Sequence, residues 1–196
     1  FFSIFVLINQ RNMEQKALRK ILWEEAGKAG LALGAVSSAY LFLAQFAGTV
    51  KMPALLSMLV TTILWAGKFG GCIWLMMYFM KKFTKQVPDI QNRTSYRFGL
   101  AASVLSALVY AAASFANSAF ISADMIAENT KLLMDQMAPV MDSNSLNQME
   151  DLMAKLPQIT FFSNLFYCII YGSILSFILS RNIPSKNPFA DNKSEW

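Results

Sequence analysis

Four apolar stretches, each long enough to cross a bilayer as a helix, lie between residues 29 and 179 and are separated by polar connections. About 20 predominantly apolar residues span the hydrocarbon, and a helix satisfies its own backbone N–H and C=O groups there, as lipid demands. The pattern predicts an all-α chain, a four-helix transmembrane bundle with spans at about 29–47, 54–80, 98–123 and 159–179. An amphipathic helical hairpin over 124–158 is expected between the third and fourth spans. Residues 1–28 read as an N-terminal segment with an interfacial amphipathic helix, and 180–196 as a mobile cytoplasmic tail.

The lysines and arginines set an orientation. Five precede the first span (Arg11, Lys16, Arg19, Lys20, Lys28), five follow the second (Lys81, Lys82, Lys85, Arg93, Arg97), and three lie from Arg181 onward with Lys186 and Lys193. The other two connections hold Lys51, Lys131 and Lys155. Lys/Arg-rich connections stay on the cytoplasmic side. Both termini are therefore expected in the cytoplasm of a bacterial inner membrane, and the hairpin 124–158 in the periplasm. That hairpin is acidic, with Asp124, Glu128, Asp135, Asp142, Glu150 and Asp151 against two lysines.

Chemistry-bearing residues are few. The chain has no histidine, which removes the commonest metal ligand and general base. Cys72 and Cys168 both lie in apolar stretches and read as buried small hydrophobes rather than a disulfide or redox pair. No catalytic, cofactor-binding or metal motif stands out, so the chain reads as a non-enzyme without a cofactor. A net charge of +5 could suggest nucleic acid, yet the positive charge gathers beside the spans, so the bilayer is the expected partner and nucleic acid is not.

The chain opens with Phe1-Phe2-Ser3-Ile4-Phe5 and reaches its first methionine at Met13, read as the native start. Leu18, Ile21 and Leu22 then recur at helical spacing beside Trp23, the mark of a helix at headgroup level. Ala26, Gly30, Gly34 and Ser38 recur every four residues and offer one face for close helix packing. A short turn with Pro53 makes the first two spans an antiparallel hairpin. The third span is crowded with alanine and serine, as in a helix packed inside a bundle. In the outer connection Met125, Leu132, Leu133 and Met137 form one apolar stripe before Pro139, and Leu146, Met149, Met153 and Leu156 form a second. Ser145 and Gln148 have the spacing of a capping box for that second helix.

Lys68 is the one ionised residue deep inside a span, where it costs roughly 2.5–3.5 kcal/mol on insertion scales. No Asp or Glu occurs in any of the four spans. Its partner must be polar or external, with Asn117, Asn164, Ser114, Tyr110, water or an anionic lipid as candidates. Gly67, Gly70 and Gly71 around it would let a backbone or headgroup approach. The competing reading is a displaced span whose lysine snorkels to one interface. Lys68, Asn117 and Asn164 thus form the candidate intramembrane polar site, although the asparagines read first as glue between helices and only second as part of a substrate path. The methionines at 125, 134, 137, 141, 149 and 153 could hold a soft metal ion, but with no His or Cys beside them adaptable packing or partner docking is the expected role.

The segment Arg93-Thr94-Ser95-Tyr96-Arg97-Phe98-Gly99, the run Trp65-Ala66-Gly67-Lys68-Phe69-Gly70-Gly71-Cys72-Ile73-Trp74-Leu75-Met76 and the closing Ser180-Arg181-Asn182-Ile183-Pro184 resemble a bacterial family of four-span membrane proteins, domain of unknown function 4199. The resemblance covers about 13–188. It implies an inner-membrane protein, brings no catalytic residues, and through neighbouring glycosyltransferases points toward envelope-glycan or lipid-linked sugar machinery. The residues favour a non-enzymatic accessory or scaffold subunit that meets a membrane-protein partner or a second copy of itself. Leu146, Met149, Met153 and Leu156 are its docking face. A carrier for an anionic lipid or small solute, anchored on Lys68, is the alternative, and a membrane enzyme ranks behind both.

Overall fold

The computed structural model describes residues 2–50, 53–87 and 92–182. Helices α1 (Phe2–Thr49), α2 (Ala54–Gln86) and α3 (Asn92–Ala116) come first, and α3 runs into a π-helical turn, Asn117–Ile121. Then follow α4 (Ala123–Met137), α5 (Ser143–Ala154) and α6 (Leu156–Asn182). Four of these segments, Gln15–Gly48, Ala54–Gln86, Asn92–Ile121 and Leu156–Asn182, are long and apolar enough to cross a membrane. The protein is all-α, as expected, and the tail beyond Asn182 lies outside the described residues.

Prolines mark the joints. Pro53 precedes α2 and its carbonyl accepts from the Ser57 N–H at 3.0 Å. Pro157 falls in the first turn of α6, where its missing N–H has no helical partner to lose. Pro139 occupies the turn between α4 and α5.

The headgroup-level helix expected before residue 28 is not a separate element. α1 passes through that boundary as one 48-residue helix, about 72 Å long at 1.5 Å per residue. No proline stands between Glu14 and Gly48, and Glu25, Ala26 and Ala29 are buried against the bundle, so tertiary packing carries the helix onward through its glycines. The second outer helix also differs. Its N-cap is Asp142, three residues before Ser145, and α5 ends at Ala154. Lys155 turns the chain, so Leu156 opens α6 and leaves the stripe it was assigned to.

α3 is the centre of the assembly, packed along α1 on one side and α6 on the other. Small residues bring the backbones together. A Cβ added at Gly30 would lie 2.6 Å from Leu105 Cβ, and one at Gly34 2.6 Å from Val109 Cβ. On the other face, one at Gly99 would meet Ser176 Oγ at 2.7 Å, and one at Gly172 would overlap Ser103. The expected α1 face therefore docks on α3, with Ser37 rather than Ser38 as its buried hydroxyl.

α2 is held differently. Its buried residues are Met76, Met80 and Phe83, all in its C-terminal half. Phe83 stacks on Phe98 with centroids 4.4 Å apart, and Glu25 Oε2 reaches Lys82 Nζ at 3.4 Å while its Oε1 meets Lys28 Nζ at 2.6 Å. The apolar core collects at this lysine-rich end. Residues 54–71 of α2 contain no buried side chain.

Candidate functional site

Because α2 is pinned at one end and α6 touches it only lightly, a narrow crevice enclosing about 70 Å³ remains between them. Leu33 and Ser37 of α1 and Ser103 and Ser106 of α3 form its floor. Lys68, Phe69, Cys72 and Met76 line one wall, and Tyr167, Cys168, Tyr171, Gly172 and Leu175 the other. The walls meet at one ring pair, Phe69 edge-on to Tyr171 with centroids 5.3 Å apart. Trp65 packs on Phe69 at 4.5 Å and Tyr167 stacks on Tyr171 at 6.5 Å, so the mouth is framed by aromatics.

Lys68 is half-buried at this crevice. Its Nζ lies 4.6 Å from the centroid of Tyr110 on α3 and 4.9 Å from that of Tyr40 on α1, with Phe69 at 6.0 Å. A desolvated cation–π contact is worth up to about 2 kcal/mol. Two such rings come close to the roughly 2.5–3.5 kcal/mol insertion cost of the charge. They leave its hydrogen bonding open, since a ring face accepts poorly. Among the described residues no carboxylate lies within ion-pair distance of Lys68, and no side-chain hydrogen bond engages its ammonium. The site is thus a positive charge with spare N–H donors, reached through an apolar slot.

The asparagines lie elsewhere. Asn117 opens the π-helical turn, and its Nδ2 donates to Ser122 Oγ at 3.3 Å, where Gln45 Nε2 also donates at 2.7 Å. This ties the far ends of α1 and α3 together. Gln45 Oε1, Asn117 Oδ1 and Ser114 Oγ are buried there without hydrogen-bond partners. Asn164 is half-buried on α6, and neither asparagine lines the crevice. No neighbour approaches Gly67, Gly70 or Gly71, where an added Cβ meets nothing within 4 Å. None of the three lines the crevice.

Residues 28–181 match the family described as "Protein of unknown function (DUF4199)". The chain belongs to the DUF4199 family. The match spans most of the chain and contains the crevice and all of its lining residues. No curated protein gives a significant match, and neither does any solved structure.

Sequence reasoning on this DUF4199 chain missed two features of the site. Tyr40 was not singled out, although an aromatic at mid-span level is the natural partner for a buried cation. Cys72 and Cys168 were read as scattered hydrophobes, yet both line the crevice, one on each wall, as free thiols. Only the relative placement of α2 and α6 reveals that, and no local pattern encodes it.

The outer hairpin offers a second surface. Leu146, Met149 and Met153 on α5 and Leu156 on α6 are each half-buried. Met153 lines a wide cavity with Ile126, Lys131 and Met134 of α4 and Glu150 of α5. Met125, Leu132, Leu133 and Met137 of α4 are exposed.

Proposed function

We propose that this protein is a membrane-embedded, non-enzymatic binding protein for an anionic amphiphile, with Lys68 as the anchor of the charged group. One observation carries the reading. An ammonium placed among the spans faces two tyrosine rings and no acid, in a crevice of mostly apolar surface with serines at its floor. A cation retained at such depth is a functional feature by default, and an anion would supply the hydrogen-bond acceptors that the rings do not. The chain is read as a bacterial inner-membrane protein with both termini cytoplasmic, supported by thirteen of its 17 lysines and arginines lying on that side.

The test is analysis of the lipids that co-purify with the parent, Lys68→Arg and Lys68→Met. An anionic amphiphile should accompany the parent, accompany Lys68→Arg in part, and be lost from Lys68→Met. Equal content in all three would reduce Lys68 to a helix-positioning residue. Orientation has its own check. A reporter that fluoresces only in the cytoplasm should be active after Trp196 and silent at Ser143.

The accessory or scaffold reading keeps support from the exposed apolar residues of α4, which lie outside the bundle core and suit a protein or membrane surface. The envelope-glycan association implied by the resemblance attaches to this second reading. Replacing Met149 and Met153 by Glu should then release the hairpin to external protease while the spans stay folded. Unchanged resistance would remove the docking face.

A further inference from the structure

The depth of Lys68 and the single charge at the crevice narrow the ligand class. We infer that the crevice takes the carboxylate of a single-chain fatty acid, admitted sideways from the bilayer between α2 and α6. This rests on the binding reading above and specifies its ligand.

Lys68 stands 14 residues into α2 and 18 from its end, about 21 Å and 27 Å along the helix axis. With Lys81 and Lys82 at one headgroup boundary, Lys68, 13 residues and about 20 Å away, lies about 10 Å inside the other boundary of a roughly 30 Å hydrocarbon layer. The phosphate of a bilayer phospholipid sits at the headgroup boundary, and reaching Lys68 would drag its whole polar head into hydrocarbon. A carboxylic acid can make that journey. Desolvation raises its pKa, so it travels neutral, and beside an ammonium it ionises. One negative charge then faces one positive charge. No second Lys or Arg lines the crevice, so a phosphate dianion would bring a surplus charge into a site with nothing to match it.

The enclosed part of the slot is small, and buried Leu33 and Met76 close it toward the pinned end of α2, so it holds the head end of one chain while the tail lies out toward the lipid. The route in lies between α2 and α6, where residues 54–71 of α2 bury no side chain and Phe69 against Tyr171 is the one ring contact between the two helices among the described residues. A chain dissolved in the membrane meets no polar barrier there, whereas a water-borne solute would have to cross lipid first.

The native cysteines report occupancy, because one sits on each wall and the chain has only two. The full-length protein, stripped of bound lipid and placed in phosphatidylcholine nanodiscs, is mixed with hexadecanoate, hexadecanol or phosphatidylglycerol. Labelling of Cys72 and Cys168 by N-ethylmaleimide and the melting temperature are then followed. Hexadecanoate should slow labelling at least tenfold and raise the melting temperature in the parent. It should do neither in Lys68→Met or, as a second variant, Lys68→Gln, while hexadecanol and phosphatidylglycerol leave labelling within twofold. Protection by phosphatidylglycerol equal to that by hexadecanoate would overturn the fatty-acid inference and leave the anionic-ligand reading standing. Equal protection by hexadecanol, or none by any probe, would overturn both.

Discussion

At Gly34 an added methyl group would lie 2.6 Å from Val109, while at Gly67, Gly70 and Gly71 it would touch nothing within 4 Å. The same residue serves two regions built on different terms. Along α1, α3 and α6, glycine and serine let backbones approach, and interlocked surfaces hold the helices where lipid gives no hydrophobic incentive to associate. Along residues 54–71 of α2, glycine faces open space. Apolar composition alone makes both regions membrane-compatible, so hydropathy cannot tell the packed slab from the loosely attached strut. The difference teaches that α2 works as an arm, fixed by Phe83, Met80 and the Glu25–Lys82 pair and held nearer its other end by the ring contacts of Lys68 and Phe69 alone rather than by interlocked backbones.

The sharpest way to break the contrast is to add bulk to the slab. Gly172→Val should cost about 2–3 kcal/mol through overpacking against Ser103, read as a lowered unfolding midpoint in detergent. A normal midpoint would show that α3 and α6 are not interlocked. Next comes the pin. Glu25→Gln, which loosens a mostly buried carboxylate from two partly exposed lysines, should cost about 1 kcal/mol and raise amide exchange in α2 near Phe83 without affecting α3. Uniform exchange changes would mean that the pin is not local to α2. In the open region, Gly67→Ala, Gly70→Ala and Gly71→Ala should each leave stability unchanged or raise it by up to about 1 kcal/mol, since alanine favours helix and meets no neighbour. Destabilisation at any of them would reveal packing that the structure lacks.

The smallest effect belongs to the outer hairpin. Its Asp142 carboxyl is held below the ordinary carboxylate range, chiefly by the Ser145 side chain. A lowered folded-state pKa means that this contribution is present above the unfolded value near 3.9 and is lost as pH falls through the lower folded value. Circular dichroism should therefore show slight fraying of α5 below about pH 4, absent in Asp142→Ala, while the spans stay unchanged.

What could be read from the chain follows the range of the forces involved. The four apolar helices and the Ala26, Gly30, Gly34 face are local patterns, and both appear in the fold. The failures are at places decided by distant partners. The N-terminal helix was given a boundary at 28 because the charged residues end there, yet α1 runs through it unbroken, with Glu25 packed against the bundle and paired with Lys82. Asn117 and Asn164 were grouped with Lys68 by polarity, whereas Asn117 binds Ser122 at the far end of α3. Lys68 itself was legible as an unpaired charge. Tyr40 and the two crevice thiols were not, since they depend on how α2 leans against its neighbours.

The account stands on α2 being a hinged arm beside a rigid slab, and distance measurement between spin labels addresses that directly. In a background with Cys72 and Cys168 replaced by Ala, one pair would be placed at the exposed positions Leu59 on α2 and Phe120 beside α3. A second pair, Phe42 on α1 and Leu108 on α3, serves as reference. A broad distribution for the first pair and a narrow one for the second is predicted. Equally narrow distributions would contradict the hinged arm and, with it, the lateral route to Lys68.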